Sequence, residues 1–161
     1  MAVSIDIYAS TNPALGALII RAFVEAYVKE DPAGVPLSLI YLPLPIVLSG
    51  EIASTLEETV ATTGLLPWVG RFPQVTIGFP ERLTRTAKFS RHGLLFGIRQ
   101  RILTVNDQGH VLPISTGLKR KPNFDAVTEP GRAMKLAKRL GGWTGRVRSE
   151  ETVFVCLGAH R

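Results

Sequence analysis

Residues 80–114 read PERLTRTAKFSRHGLLFGIRQRILTVNDQGHVLPI, and the division of this stretch decides the fold. Pro80–Lys88 reads as a helix. Phe89-Ser90 reads as a turn, with Ser90 as the N-cap of a second helix, Arg91–Arg99, whose apolar residues are Leu94, Leu95 and Ile98. Two β-prone runs follow, Ile102–Val105 and His110–Ile114. They flank Asn106-Asp107-Gln108-Gly109, the composition of a hairpin turn. Helix, turn, helix and hairpin in that order predict a winged helix-turn-helix.

Upstream, Thr11-Asn12-Pro13 marks a helix start, with Thr11 or Asn12 as N-cap and Pro13 in the first turn. Leu15, Leu18, Ile19, Ala22, Phe23, Ala26 and Tyr27 then recur at helical spacing. They predict an amphipathic first helix ending near Glu30, where Asp31-Pro32-Ala33-Gly34 breaks it. Val35–Ser49 is almost wholly apolar. Periodicity leaves a buried strand and a short buried helix equally open, and Pro43 and Pro45 argue against a central strand. Ser54 or Thr55 is read as the cap of a short helix with Glu57 and Glu58 in its first turn, and Leu65–Val69 as a further helical element.

Downstream, Gly117–Pro130 reads as a loop and Pro130–Leu140 as a basic amphipathic helix closed by Gly141-Gly142. Ser149 caps a last short helix, Glu150–Leu157. The fold class expected is mainly α with a small β-wing. Its winged helix-turn-helix core is flanked by N- and C-terminal helices. One domain of 161 residues then comprises an acidic, apolar helical part (1–70), a winged-helix part (71–115) and a basic loop with C-terminal helices (116–161).

Charge follows these parts. Residues 1–70 hold two basic and seven acidic side chains, a net of −5, and residues 71–161 hold seventeen and six, a net of +11. Such asymmetry suggests one surface for a protein partner and one for a polyanion. Hydrophobic content of 45% with 20% charged residues excludes a wholly disordered chain. A mean hydropathy of +0.18 is high for a free monomer and fits apolar surface reserved for partners.

Arg82, Arg85, Lys88, Arg91, Arg99 and Arg101 cluster around the expected helix-turn-helix, and Lys119, Arg120 and Lys121 follow the wing. They are candidates for backbone contacts with double-stranded DNA, which neutralise phosphates without reading sequence. A solvated basic face and a face docked on an acidic partner are the alternatives. The second helix carries few Asn, Gln or Arg residues on one face to reach base edges, so sequence-specific reading is not expected. Leu39, Tyr41, Leu42 and Leu44, with Trp68 and Trp143, are candidates for partner contacts. Burial in the core is the competing reading for each.

Catalytic signatures are missing. The sequence has no Gly-x-Ser-x-Gly and no Gly-x-x-x-x-Gly-Lys-Ser/Thr. His92, His110, His160 and Cys156 lack ligand spacing, apart from the weak Cys156–His160 pair. Neither an enzyme nor a cofactor or metal is expected. Met1–Ser10 lacks a basic n-region, and the most hydrophobic run, Leu37–Leu48, is short and broken by prolines. A cytoplasmic protein without a membrane span is therefore expected.

Several motifs in this order resemble a known family. Asn12-Pro13-Ala14 opens the first helix, and Leu42-Pro43-Leu44-Pro45-Ile46-Val47-Leu48 follows. Gly93-Leu94-Leu95-Phe96-Gly97 precedes Ile102-Leu103 and the wing, and Leu140-Gly141-Gly142-Trp143 and Leu157-Gly158 come later. The chain resembles, over nearly its whole length, the middle component of three-component ABC-ATPase systems, which include Lamassu-type anti-phage defence. Where family members commonly place Thr-Arg-Glu ahead of the apolar helix, this chain has Ser90-Arg91-His92. The resemblance implies a non-enzymatic adaptor between an SMC/Rad50-like ABC ATPase subunit and an effector subunit, often a nuclease. A stand-alone winged-helix DNA-binding transcriptional regulator is the second reading.

Overall fold

In the computed structural model, residues 12–115 and 128–159 are described. Helix α1 (Pro13–Glu30) lies at the centre. Asn12 caps it, its Oδ1 accepting from the Leu15 amide at 3.2 Å, with Pro13 at the first helical position. The apolar stripe understates the burial of this helix. Gly16, Ala17, Ile20, Arg21 and Val24, off the expected face, are also buried. A helix covered nearly all round is a core helix rather than a surface one.

The ambiguous apolar run resolves into three short pieces: strand β1 (Val35–Pro36), a 3-10 turn (Leu37–Tyr41) and helix α2 (Pro43–Val47). Helix α3 (Gly50–Glu57) begins four to five residues before the expected cap. Ser54 and Thr55 are interior to it and donate back to carbonyls of the preceding turn, Ser54 to Gly50 and Glu51 and Thr55 to Ile52. Helix α4 (Leu65–Arg71) and a 3-10 turn (Pro73–Thr76) complete this part.

The largest correction falls on the opening stretch. Helix α5 runs unbroken from Phe79 to Arg99, through the turn expected at Phe89-Ser90. Its inward residues, Phe79, Leu83, Thr86, Ser90, Gly93 and Gly97, recur every three or four positions without a phase break. Ser90 is not a cap but a small, fully buried residue on that face. With one helix where two were expected, residues 79–99 supply no helix-turn-helix.

The hairpin is present. Strand β2 (Leu103–Val105) pairs antiparallel with β3 (His110–Pro113), Val105 opposite Val111. The Asn106 side chain accepts from the Gln108 and His110 amides, and Gly109 supplies the left-handed residue at φ +75°. A third strand joins from the N-terminal part. β1 pairs antiparallel with β3, giving the order β1-β3-β2.

Helix α5 ends in a Schellman motif. The Arg101 amide donates to Ile98 O at 3.1 Å and the Ile102 amide to Gly97 O at 3.0 Å. The position that normally takes glycine holds Arg101 at φ +58°. Arg101→Gly is expected to raise stability by about 1 kcal/mol by removing left-handed strain. A urea midpoint unchanged or lowered by the substitution would count against this.

Helix α6 (Glu129–Val147) starts at Thr128, whose Oγ1 accepts from the Gly131 amide, and continues seven residues beyond its expected end. Gly141 and Gly142 lie inside it. Helix α7 (Glu150–Cys156) follows, capped by Ser149 as expected. The architecture is mainly helical with one small three-stranded antiparallel sheet, and α1 packs between α5 and α6. Close approach comes from glycines on both sides. Gly93 of α5 lies against the Gly16 backbone, and Gly141 and Gly145 of α6 lie against the carbonyls of Phe23 and Tyr27. One hydrophobic cluster extends from Leu15 to Leu157.

Candidate partner and nucleic-acid interface

The arginines of the C-terminal half divide into two groups, engaged and free. On α6, Arg132, Arg139 and Arg146 recur every seven residues and so share one face. Arg132 pairs with Glu57, and Arg146 pairs with Glu30 at 3.2 Å. Arg139 donates to the carbonyls of Leu56 at 2.6 Å and Thr59 at 2.9 Å, capping the C-terminal end of α3. Burial holds its guanidinium below its ordinary pKa. Part of the charge asymmetry is thus internal: bases of the basic half close onto acids and carbonyls of the acidic half.

The free group lies on α5. Arg85, Lys88, Arg91 and Arg99 are exposed and fall within one arc of about 120° on the helix. From Arg85 to Arg99 the row extends about 21 Å at 1.5 Å per residue. Exposed His92 and Leu95 sit on the same face, and Arg101 is exposed two residues past the helix end. Among the described residues none of these five cations has an ion-pair partner. The only acid on α5 is Glu81, in the first turn.

Arg82 leaves this group. It is half-buried and donates to Ser49 Oγ at 2.8 Å, tying α5 to the start of α3. Lys119, Arg120 and Lys121 lie outside the described residues. So the structure brings Arg85, Lys88, Arg91 and Arg99 together on one face, leaves Arg101 exposed beyond the helix end and separates Arg82 from them.

The residues proposed for partner contact are placed differently. Leu39, Leu42, Leu44, Trp68 and Trp143 are at most 1% exposed, and Tyr41 is half-buried. The two tryptophans meet each other, with ring centroids 5.8 Å apart. Each indole N–H is satisfied, Trp68 to Thr55 Oγ1 and Trp143 to Ala61 O, both at 2.9 Å. These five residues form core, and the apolar surface lies elsewhere, at Leu66, Ile77, Leu95 and Val155, each more than half or about half exposed.

One charged residue that sequence reasoning passed over is central to the fold. Arg21 of α1 is 5% exposed. Its Nε donates to Ile102 O at 3.3 Å, one terminal nitrogen donates to Ile114 O at 3.1 Å and the other pairs with Glu25 at 2.5 Å. Arg21 therefore clamps both ends of the hairpin to the central helix. The only sequence signal was its (i, i+4) acid inside an apolar run.

No group of His, Cys, Asp and Glu among the described residues is arranged to hold a metal ion. His110 contacts Ala33 O at 3.1 Å, and His160 lies outside the described residues. Burial pushes the Cys156 thiol above its ordinary pKa, away from the thiolate that nucleophilic chemistry requires. No single helix among the described residues is long and apolar enough to cross a membrane. The bent pair Leu37–Val47 and Gly50–Glu57 comes nearest, but turns by 92° and buries most of its apolar side chains in the core.

The sequence matches the family described as ABC-three component (ABC-3C) system Middle Component 3 over residues 2–160. The chain belongs to that family. Comparison with curated proteins and with solved structures found no match. Two surface features of this ABC-3C middle component stand out among the described residues: the cationic face of α5 and the exposed apolar residues Leu66, Ile77, Leu95 and Val155. Membership also makes other components of the system its expected partners.

Proposed function

We propose that this middle component is a non-catalytic adaptor in a cytoplasmic anti-phage defence complex. It holds an SMC/Rad50-like ATPase subunit and an effector subunit, a nuclease, together. The cationic face of α5 lies along the backbone of the duplex that the ATPase engages. The observation that carries the DNA contact is the contrast between α6 and α5. The α6 arginines are engaged within the molecule, whereas Arg85, Lys88, Arg91 and Arg99 stand free in one row, with Arg101 exposed beyond its end. A row of cations with no Asn or Gln among them suits phosphate contact without sequence preference.

The test is salt-titrated binding to duplex DNA of unrelated sequences. With four to five phosphate contacts the logarithm of the affinity is expected to fall against the logarithm of salt with a slope of about −4. Arg91→Gln is expected to flatten that slope by about 1. The triple variant Arg85→Glu, Lys88→Glu, Arg91→Glu is expected to abolish binding at about 50 mM salt. Strong preference for one duplex, or binding indifferent to the triple variant, sinks the DNA reading. Co-expression with the neighbouring components tests the adaptor reading, which three separately eluting proteins would overturn.

A further inference from the structure

We infer that the cleft between α7 and the start of α5 seats a basic amphipathic segment of another component of the system; this rests on the adaptor reading. The cleft holds about 720 Å³. Its apolar lining comes from Leu83, Phe154 and Val155, its polar lining from Ser38, Glu150 and Glu151, and among the described residues no basic side chain lines it. That sign is opposite to the α5 row, so the cleft selects a cationic occupant where α5 selects an anionic one.

The α7 helix is two-sided. Val153 and Leu157 are fully buried and hold it to the core. Two positions before each, Glu151 and Val155 share the outward face at (i, i+4), and Val155 is 50% exposed. Placement in the first turn of α7 explains why Glu150 and Glu151 suit the helix dipole. It does not explain an exposed valine one turn on, beside an apolar cleft. Glu150 accepts from Ser38 Oγ, which fixes one carboxylate at the rim. Glu151 has no partner among the described residues and remains available for a Lys or Arg. A segment presenting one or two apolar side chains and flanking cations meets both halves of this lining.

The test uses the full chain with the other components of its system. Val155→Asp and the pair Glu150→Lys, Glu151→Lys are each expected to weaken the complex at least about tenfold. The unfolding midpoint of Val155→Asp should stay near that of the parent, because the position is a surface one, while the lysine pair lowers its midpoint modestly through the lost first-turn charge and the Ser38 contact and leaves the chain folded. The α5 triple variant is expected to leave assembly within about threefold, which separates this cleft from the DNA face. Parent-like assembly by both cleft variants overturns the inference while the adaptor reading stands. No complex with the parent chain overturns both. A dimer of the chain alone that Val155→Asp dissociates shows a second copy as the occupant and also overturns it.

Discussion

Gly141→Ala is expected to destabilise the protein by about 3 kcal/mol, enough to lower the unfolding temperature by about 10 °C. A Cβ at this position meets the Phe23 carbonyl oxygen at 2.2 Å and its carbon at 3.0 Å, both backbone atoms of the central helix. No rotamer change relieves that clash, so α6 must move away from α1 or bend. The intrinsic preference points the other way, since alanine in a helix interior gains about 1 kcal/mol over glycine. The adjacent position supplies the control. A Cβ on Gly142 meets nothing within 4 Å. Gly142→Ala is therefore expected to stabilise by about 0.5–1 kcal/mol through the same propensity. Opposite signs at neighbouring residues, read from urea midpoints, confirm the docking of α6 on α1. A neutral or stabilising Gly141→Ala means that the helices do not meet there.

Arg21→Met is expected to cost about 3 kcal/mol and to loosen the hairpin before the rest of the molecule. The methionine replaces the buried stem but none of the donors. Ile114 O loses the guanidinium bond described for it, and Ile102 O keeps only the amide of Ile114. Glu25 is left without its pair at 24% side-chain exposure, partly solvated, which keeps the cost at the low end for a broken buried ion pair. Hydrogen exchange distinguishes this from general softening. Amide protection should fall first at 102–114, while α1 and α6 keep theirs until global unfolding. Arg21→Lys is expected to recover only part of the loss, because one ammonium cannot reproduce a fork donating in three directions. Uniform loss of protection would mean that Arg21 is only a buried charge and not a clamp.

The two predictions concern residues that the chain alone describes poorly, for different reasons. A pair of glycines after an amphipathic stretch has the composition of a helix end, and Gly141-Gly142 fits that pattern locally. Only the approach of α1 shows that Gly141 is there because no larger residue fits. Arg21 resembles an interruption of an apolar stripe until the hairpin carbonyls, more than eighty residues away, are placed beside it. The split at Phe89-Ser90 failed similarly. Ser at that spot is a good cap in isolation, but a small buried residue when a helix packs against its face.

The α5 cations illustrate a third case. All six candidates around this helix are visible as charge in the sequence, but their fates differ with local direction. Arg82 turns toward Ser49, whereas Arg85, Lys88, Arg91, Arg99 and Arg101 stay in solvent. Charge counting also could not separate α6 from α5. The first engages its arginines with Glu30, Glu57 and the end of α3, and the second keeps its cations other than Arg82 free.

The sequence by itself determined what local chemistry controls: a cap at Thr11 or Asn12, the Ser149 cap, the extent of α1, the Asn106–Gly109 hairpin and the order of motifs that carries the family. Capping, turn formation and period are set by residues within a few positions of one another, so they are legible along the chain. Tertiary structure alone decided whether 79–99 is one helix, which tryptophans are core, which arginines remain free, and where the acidic apolar cleft opens. Each of those depends on which distant surface arrives, and close packing admits only the side chains that fit the neighbour.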